Sequence, residues 1–244
     1  MPDWFDWSLI LVYARLQAAL LVLPGLGERV VPGRVKIALA LALTPLLAGQ
    51  VGLRAMPGQP IGLIAQIGAE TVLGLATGMM LRLMALAIDI ATTAIAATAS
   101  LSQIMGVQNE AAPHPIGNML HLGGIAILMA LGLPIMLVQL LADSFAIWPP
   151  ASLPRVEGLT MAVIGIVTDS FRLALILAAP FTLGGFLYQA LSGVISRVMP
   201  ALPVVFIGAP ASIMLALIAL TVLSPMLIAI WADAVLGFML PAPR

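Results

Sequence analysis

The chain has 244 residues, of which 62% are hydrophobic and only 8% are charged, and its formal net charge is zero. Soluble domains usually carry charge on about a quarter of their residues, so this composition excludes an ordinary soluble domain. It also contains no lysine or arginine run of the kind that binds nucleic acid, and no cysteine for disulfides, thiolate chemistry or metal ligation.

Apolar runs of about 18 residues or more recur along the chain, bounded by proline, glycine and charge. They predict an all-α, polytopic integral membrane protein with about six hydrophobic helical segments, in a single membrane-embedded domain over residues 1–244. Asp3 and Asp6 precede the first run and Arg15 interrupts it, so we interpret it as a retained segment rather than a cleaved signal. The predicted segments are Trp4 to Leu23, Val35 to Leu53, Ile61 to Ile90, Met119 to Leu141, Leu159 to Leu191 and Val204 to Leu236.

The third and fifth runs are longer than the roughly 20 helical residues that cross a ~30 Å hydrocarbon core. We therefore expect breaks or re-entrant hairpins in them. The third run should break after Asp89, where alanine, threonine and serine dominate from Ala91 to Ser102, and the fifth at Ala179–Pro180 or Gly184–Gly185. Faces of small residues also predict close packing against partner helices.

The connector between the first two runs concentrates the scarce charge of the chain. It holds Glu28, Arg29, Arg34 and Lys36, which include three of the ten basic side chains. Because basic residues at the ends of spans prefer the membrane interface, we predict that these three and Arg197 support assembly or interfacial anchoring.

Glu70, Gly74 and Gly78 are spaced by four residues, so the two glycines open a groove on the helix face that carries the carboxylate. One interpretation is an intramembrane carboxylate in a proton or ion pathway, as in a secondary transporter. The other is a polar residue satisfied by a neighbouring helix, with the glycines serving packing. We favour packing and keep the transporter as the alternative, although no internal repeat is evident.

Other polar residues in the apolar runs receive structural interpretations. Asp169 and Arg172, at positions i and i+3, are predicted to pair. His114 and His121 lack both the i, i+4 spacing and a third ligand, so no metal site is expected. Without a phosphate loop, a nucleophile elbow or paired catalytic carboxylates, the chain is expected to be neither an enzyme nor a cofactor-binding protein.

Four segments together resemble the FliR family of flagellar biosynthetic proteins and its counterparts in virulence type III secretion. The first connector and a distant second motif carry most of the resemblance, and the family's assembly positions would include Pro32, Pro200, Phe206, Gly208 and Pro210. Two weaker central signals agree with them, as do length and span count, so the resemblance covers essentially the whole chain. The segments are Pro24 to Lys36, Glu70 to Gly74, Gln103 to Gly106 and Ser196 to Pro210.

The resemblance implies a subunit of the type III protein export gate, assembled with FliP and FliQ, contacting FlhB and FlhA, and passing unfolded substrates. It implies a place in lipid of the bacterial inner membrane at the flagellar basal body, with the flagellar system favoured over a virulence system. It further implies that the central connector borders the closed pore, although the loop from Val107 to Pro115 lacks the aromatic residues common there. The implied pore residues are Met105, Gly106, Val107, Gln108, Asn109 and Glu110.

Overall fold

The computed structural model describes residues 6–49, 51, 56–98, 115–152, 156–199 and 204–241. Within these ranges the chain forms eight α-helices and no β-strand, so the predicted all-α class is confirmed. The helices are α1 Trp7–Val22, α2 Gly33–Ala48, α3 Pro60–Ala85, α4 Ala87–Thr98, α5 Pro115–Ala130, α6 Leu133–Ile147, α7 Val156–Val198 and α8 Val204–Leu236.

Three stretches of the described chain are long and apolar enough to cross a membrane, namely Pro60–Ile95, Gly158–Val198 and Pro210–Leu236. A fourth is obtained if α5 and α6 are counted together as one bent span. By contrast, α1 has 16 residues and rises only about 24 Å, which is less than a ~30 Å hydrocarbon core. The fold is therefore that of a polytopic membrane protein in which some of the six predicted segments are helices too short to span.

The helix breaks differ from the predicted ones. The third run is interrupted at Leu86, before Asp89 rather than after it. Asp89 lies in the first turn of α4, where the partial positive charge of a helix N-terminus favours a carboxylate, so this residue marks the start of a helix. The fourth run, predicted as one segment, is divided by Gly132, whose φ of 106° is left-handed and favours glycine.

The breaks predicted in the fifth run are wrong, because α7 is helical throughout Val156–Val198. It contains Pro180 and continues through Gly184 and Gly185. Pro180 removes a single backbone donor, which frees the carbonyl of Ile176 four residues earlier, and the helix continues on both sides of it.

One compact unit comprises Met1–Ala85, Leu128–Thr168 and Val235–Arg244. Within it α1 packs mainly against α3 and also against α2. The N-terminus of α1 is capped by the side chain of Asp6, which accepts from Ser8 N at 2.9 Å, and Trp7 Nε1 donates to Gln66 Oε1 on α3 at 2.7 Å. The largest fully buried apolar side chains of these two helices are Leu11, Leu16, Leu20, Leu73, Met80 and Leu81.

The contact between α1 and α3 is closest at two glycines of α3. A Cβ atom at Gly74 would lie 2.2 Å from the carbonyl oxygen of Arg15, and one at Gly78 would lie 2.5 Å from Val22 Cγ2. Both distances are far below ordinary van der Waals contact, so no larger residue fits without moving a helix backbone or repacking its side chains. These glycines set the separation of the two helices.

The other compact unit comprises Leu86–Ile127 and Asp169–Ala234. Its most deeply buried aromatic residue is Trp231 of α8, which is 1% exposed. The ring packs on Gly124 of α5, where a Cβ would lie 2.8 Å from it. Helices α4, α5, α7 and α8 meet around a small apolar cavity of about 20 Å³, lined by residues that include Ile88, Leu120, Leu177 and Ile228.

The glycine contact gives a matched pair of substitutions in α3. Gly74→Ala should destabilise the chain by about 1–3 kcal/mol, since the new methyl group meets the α1 backbone. The same change at the exposed Gly68, where a Cβ would meet nothing within 4 Å, should cost nothing, because alanine favours helix. Heating a neutral-detergent extract and measuring the aggregation temperature of the tagged chain tests this. Equal effects of the two variants would contradict the packing assignment.

Candidate functional site

The most distinctive polar feature of the described chain is a buried ion pair between α1 and α3. Arg15 Nε donates to Glu70 Oε2 at 2.6 Å, and neither side chain has any exposed surface. Taking two charges out of solvent costs several kcal/mol per ion, so the pair needs further hydrogen bonds to be stable.

Arg15 obtains those hydrogen bonds from the C-terminal end of α6. Its Nη1 donates to the carbonyl oxygens of Ser144 and Trp148, both at 2.9 Å. The guanidinium also stacks on Phe145 of the same helix, 4.2 Å from the ring centroid. One side chain of α1 thereby holds the end of α6.

The second carboxylate oxygen of Glu70 accepts a hydrogen bond from the turn that follows α6. Oε1 accepts from the backbone N–H of Ala151 at 2.8 Å, and Ala151 has a φ of 62°, in the left-handed region that is unfavourable for alanine. The hydrogen bond fixes this turn in its strained conformation. Arg15 and Glu70 therefore connect α1, α3, α6 and the turn after α6.

These contacts bear on the two interpretations of the Glu70 motif. Both carboxylate oxygens of Glu70 are occupied, and the glycines on its helix face pack on α1. A transport role would require Glu70 to break an ion pair and a backbone hydrogen bond in each cycle. The geometry thus favours structural satisfaction by a neighbouring helix.

The first connector is folded back on the C-terminal end of α1. Lys36 is buried, and its Nζ donates to the carbonyls of Gly27 at 2.9 Å and Glu28 at 3.2 Å. Arg82 of α3 donates to the carbonyl of Val22 at 3.2 Å and lies 3.4 Å from the Glu28 carboxylate. The connector is thus held by two cations, Lys36 of α2 and Arg82 of α3.

The remaining predicted assembly residues are placed differently. Arg29, Pro32, Arg34 and Arg197 are exposed, whereas Glu28, Lys36, Glu70, Gly74 and Gly78 make contacts within the chain. Phe206, Gly208 and Pro210 lie in the first turns of α8. Pro200 and the predicted pore residues Met105, Gly106, Val107, Gln108, Asn109 and Glu110 lie outside the described residues.

Two further pairings of charged residues differ from the sequence interpretation. Asp89 and His121, seen only separately in the sequence, are joined by a 2.8 Å contact between Asp89 Oδ1 and His121 Nδ1. Asp169 and Arg172, predicted to pair, are both exposed and form no ion pair with any described residue. Their i, i+3 spacing permits contact on an isolated helix, but an exposed pair of this kind contributes only a few tenths of a kcal/mol.

Comparison with known proteins identifies the family to which this chain belongs. Residues 7–237 match the model of the bacterial export proteins, family 1. The chain belongs to this family. It is 28% identical over 229 residues to the flagellar biosynthetic protein FliR of Caulobacter vibrioides, covering 91% of this chain and 90% of that protein. It is 23% identical to FliR of Pectobacterium carotovorum and 24% identical to FliR of Aquifex aeolicus, covering 87% and 86% of those proteins.

The resemblance to the FliR family is therefore confirmed. The sequence of this FliR-family chain did not reveal that Arg15 is the partner of Glu70. Arg15 was visible as an ionisable residue in the middle of an apolar run, which is a signal of a buried charge that needs a partner.

The buried ion pair of this FliR-family chain yields a double-mutant test. Arg15→Met or Glu70→Leu alone leaves an unpaired buried charge and should destabilise the fold by about 3–5 kcal/mol. The double variant removes both charges and should cost clearly less than the sum of the two single changes. Aggregation temperatures in neutral detergent provide the comparison. Additive losses would show that the two side chains do not depend on each other.

The connector of this FliR-family chain allows a second comparison. Lys36→Gln removes a buried cation that holds two backbone carbonyls, so a loss of about 1.5–3 kcal/mol is expected. Arg34→Gln, two residues away and exposed, should change the stability by no more than about 0.5 kcal/mol. The same thermal measurement applies, and an equal loss at Arg34 would show that the connector is held by surface charge instead.

Proposed function

We propose that this chain is a subunit of a type III protein export gate of the flagellar kind. In this role it helps to form the inner-membrane channel at the basal body through which unfolded flagellar proteins leave the cytoplasm. Its partners are FliP and FliQ subunits in one hetero-oligomeric gate, with FlhB and FlhA as neighbouring components. The chain contributes structure to the channel and catalyses no reaction.

The observation that carries the proposal is the match of residues 7–237 to a family of bacterial export proteins. The FliR-named relatives are matched along 86–90% of their own length, so the similarity covers most of each protein rather than one shared motif. The three names agree on the flagellar system, which favours it over a virulence system.

The exposed apolar surface supports a role in an assembly. The most apolar 18-residue segment of Pro210–Leu236 has no residue buried within the chain. In the corresponding segment of Gly158–Val198 only one-third of the residues are buried. Such faces need lipid or other helices around them. Lipid alone does not suit them, because Asp169, Arg172 and Asp233 are exposed on the same helices.

The exposed charges of Asp169, Arg172 and Asp233 indicate what must surround these helices. A charged side chain in a membrane segment normally faces a protein partner or a water-filled cavity. Neighbouring gate subunits supply the partners, and an export channel supplies the cavity. We infer that the chain is stable only in its assembly, and that an isolated, stable, well-folded monomer would count against the gate.

The central connector is the proposed pore border. Met105, Gly106 and the loop from Val107 to Pro115 lie outside the described residues, so their assignment rests on the family resemblance. Since the chain has no cysteine, single cysteines introduced there give unambiguous crosslinks to a stalled export substrate. Crosslinking at this loop is expected, and crosslinking confined to other parts of the chain would refute the assignment.

Deletion of the gene in its own organism tests the proposed function. The deletion should abolish both secretion of the filament protein and swimming, and re-expression of the tagged chain should restore them. FliP and FliQ should co-purify with the tagged chain. Cells that still swim, or partners that belong only to a virulence secretion system, would contradict the flagellar role.

A further inference from the structure

One turn of α7 carries two opposite charges on an otherwise apolar, exposed side of the helix. Asp169 and Arg172 are exposed, and neither forms an ion pair with any described residue. At 3.6 residues per turn, the two side chains lie about 60° apart around the helix. Ile176, Leu183 and Leu187 lie within about 40° of Asp169 in the same projection. They are 49%, 63% and 66% exposed, so the charges interrupt an apolar stripe.

Both charges lie deep in the apolar stretch that begins at Gly158. At 1.5 Å per residue, Asp169 is about 16 Å and Arg172 about 21 Å from Gly158 along the helix axis. These depths fall near the middle of a ~30 Å hydrocarbon core, away from the ends where long side chains can reach the interface. Lipid hydrocarbon is therefore an unfavourable environment for this turn of α7.

A backbone acceptor follows the two charges along α7. Pro180 is exposed and has no N–H to donate to the carbonyl of Ile176. Helix α8 has the same loss at Pro225, where the hydroxyl of the preceding Ser224 donates to the freed carbonyl at 3.4 Å. In α7 the residue before the proline is Ala179, which has no hydroxyl. This side of α7 therefore presents a carboxylate, a guanidinium and a carbonyl within about two turns.

We propose that this side of α7 packs on a membrane-embedded helix of another subunit, which presents a basic side chain to Asp169 and an acidic one to Arg172. The inference rests on the proposed gate and specifies the kind of surface that one of its subunits must offer. A water-filled channel would suit the charges but not the exposed leucines and isoleucine of the same stripe. A helix suits both, because its apolar side chains pack on the stripe while its polar ones pair with the charges.

A second copy of the chain does not fit this surface. Copies of one chain insert in the same orientation, so the α7 helices of a two-fold pair would run parallel. Asp169 would then face Asp169 and Arg172 would face Arg172, which like-charge repulsion disfavours. The partner is therefore a different chain whose charges are in the complementary order.

The decisive variant exchanges the two charges, Asp169→Arg with Arg172→Asp. The net charge and the i, i+3 spacing are kept, so the two side chains can still pair with each other, but each meets a like charge on the partner. The yield of one co-purifying subunit should fall roughly tenfold or more. The control is Asp169→Glu with Arg172→Lys, which keeps the order of the charges and should retain that subunit. Mass spectrometry of the full-length tagged chain, extracted with its partners in neutral detergent, measures the yields.

Crosslinking locates the partner without changing the charges. Since the chain has no cysteine, Ile176→Cys and Phe171→Cys each place a photoreactive thiol reagent at a single position. The two residues are similarly exposed, at 49% and 55%, but lie about 140° apart around α7. The subunit that the charge exchange removes should crosslink at Ile176 and much less at Phe171. If the aggregation temperature shows that the exchanged variant fails to fold, this crosslinking comparison decides.

Three results would overturn the inference. An exchanged variant that keeps every subunit would show that the two charges need only each other. Rapid modification of Ile176→Cys in the complex by a charged thiol reagent would show that this side faces water, and crosslinks to lipid alone would show that it faces lipid. If the wild-type chain still retains FliP and FliQ in these cases, the proposed gate stands and only this interface fails, whereas a wild-type chain without them contradicts both.

Discussion

Arg15 and Glu70 meet at 2.6 Å with no exposed surface, and the first compact unit is organised around satisfying them. Further hydrogen bonds offset the cost of burying such a pair. Nη1 of Arg15 donates to the carbonyls of Ser144 and Trp148, and the second oxygen of Glu70 accepts from the N–H of Ala151. Nη2 of Arg15 is buried and has no hydrogen-bond partner among the described residues. The short arginine–carboxylate distance requires α1 and α3 to lie close together, and Gly74 permits this by letting the two backbones touch.

The same unit uses Arg82 and Lys36 in a similar way. The last carbonyls of a helix lack partners within that helix, and inside a membrane there is no water to satisfy them. Arg15 donates to carbonyls at the end of α6, Arg82 to the carbonyl of Val22 at the end of α1, and Lys36 to carbonyls of the connector. Basic residues are scarce in this chain, and three of the seven that the structure describes bond backbone groups at helix ends or in the adjoining turn. This arrangement explains why removing the charge of Lys36 should affect folding while removing that of Arg34 should not.

The sequence predicted the helical class and the membrane environment, because both follow from composition and apolar run length. It also predicted the role of Gly74 and Gly78, since glycines four residues apart leave a groove whatever packs into it. Arg15 and Glu70 are 55 residues apart, and no local pattern relates them. The break at Leu86 was not predicted, because it depends on the conformation of one turn. The break predicted at Pro180 is wrong, because the helix continues through this proline.

Two groups of charges among the described residues differ in whether their partners lie within the chain. Arg15, Glu70 and Lys36 are buried and bonded within the chain, so they determine its fold. Asp169, Arg172 and Asp233 are exposed on helices whose other exposed side chains are largely apolar. Hydrocarbon cannot solvate these three charges, and a monomer in lipid would therefore leave them unsatisfied. A charged side chain in such a position normally faces a protein partner or a water-filled cavity, and the proposed export gate would provide both.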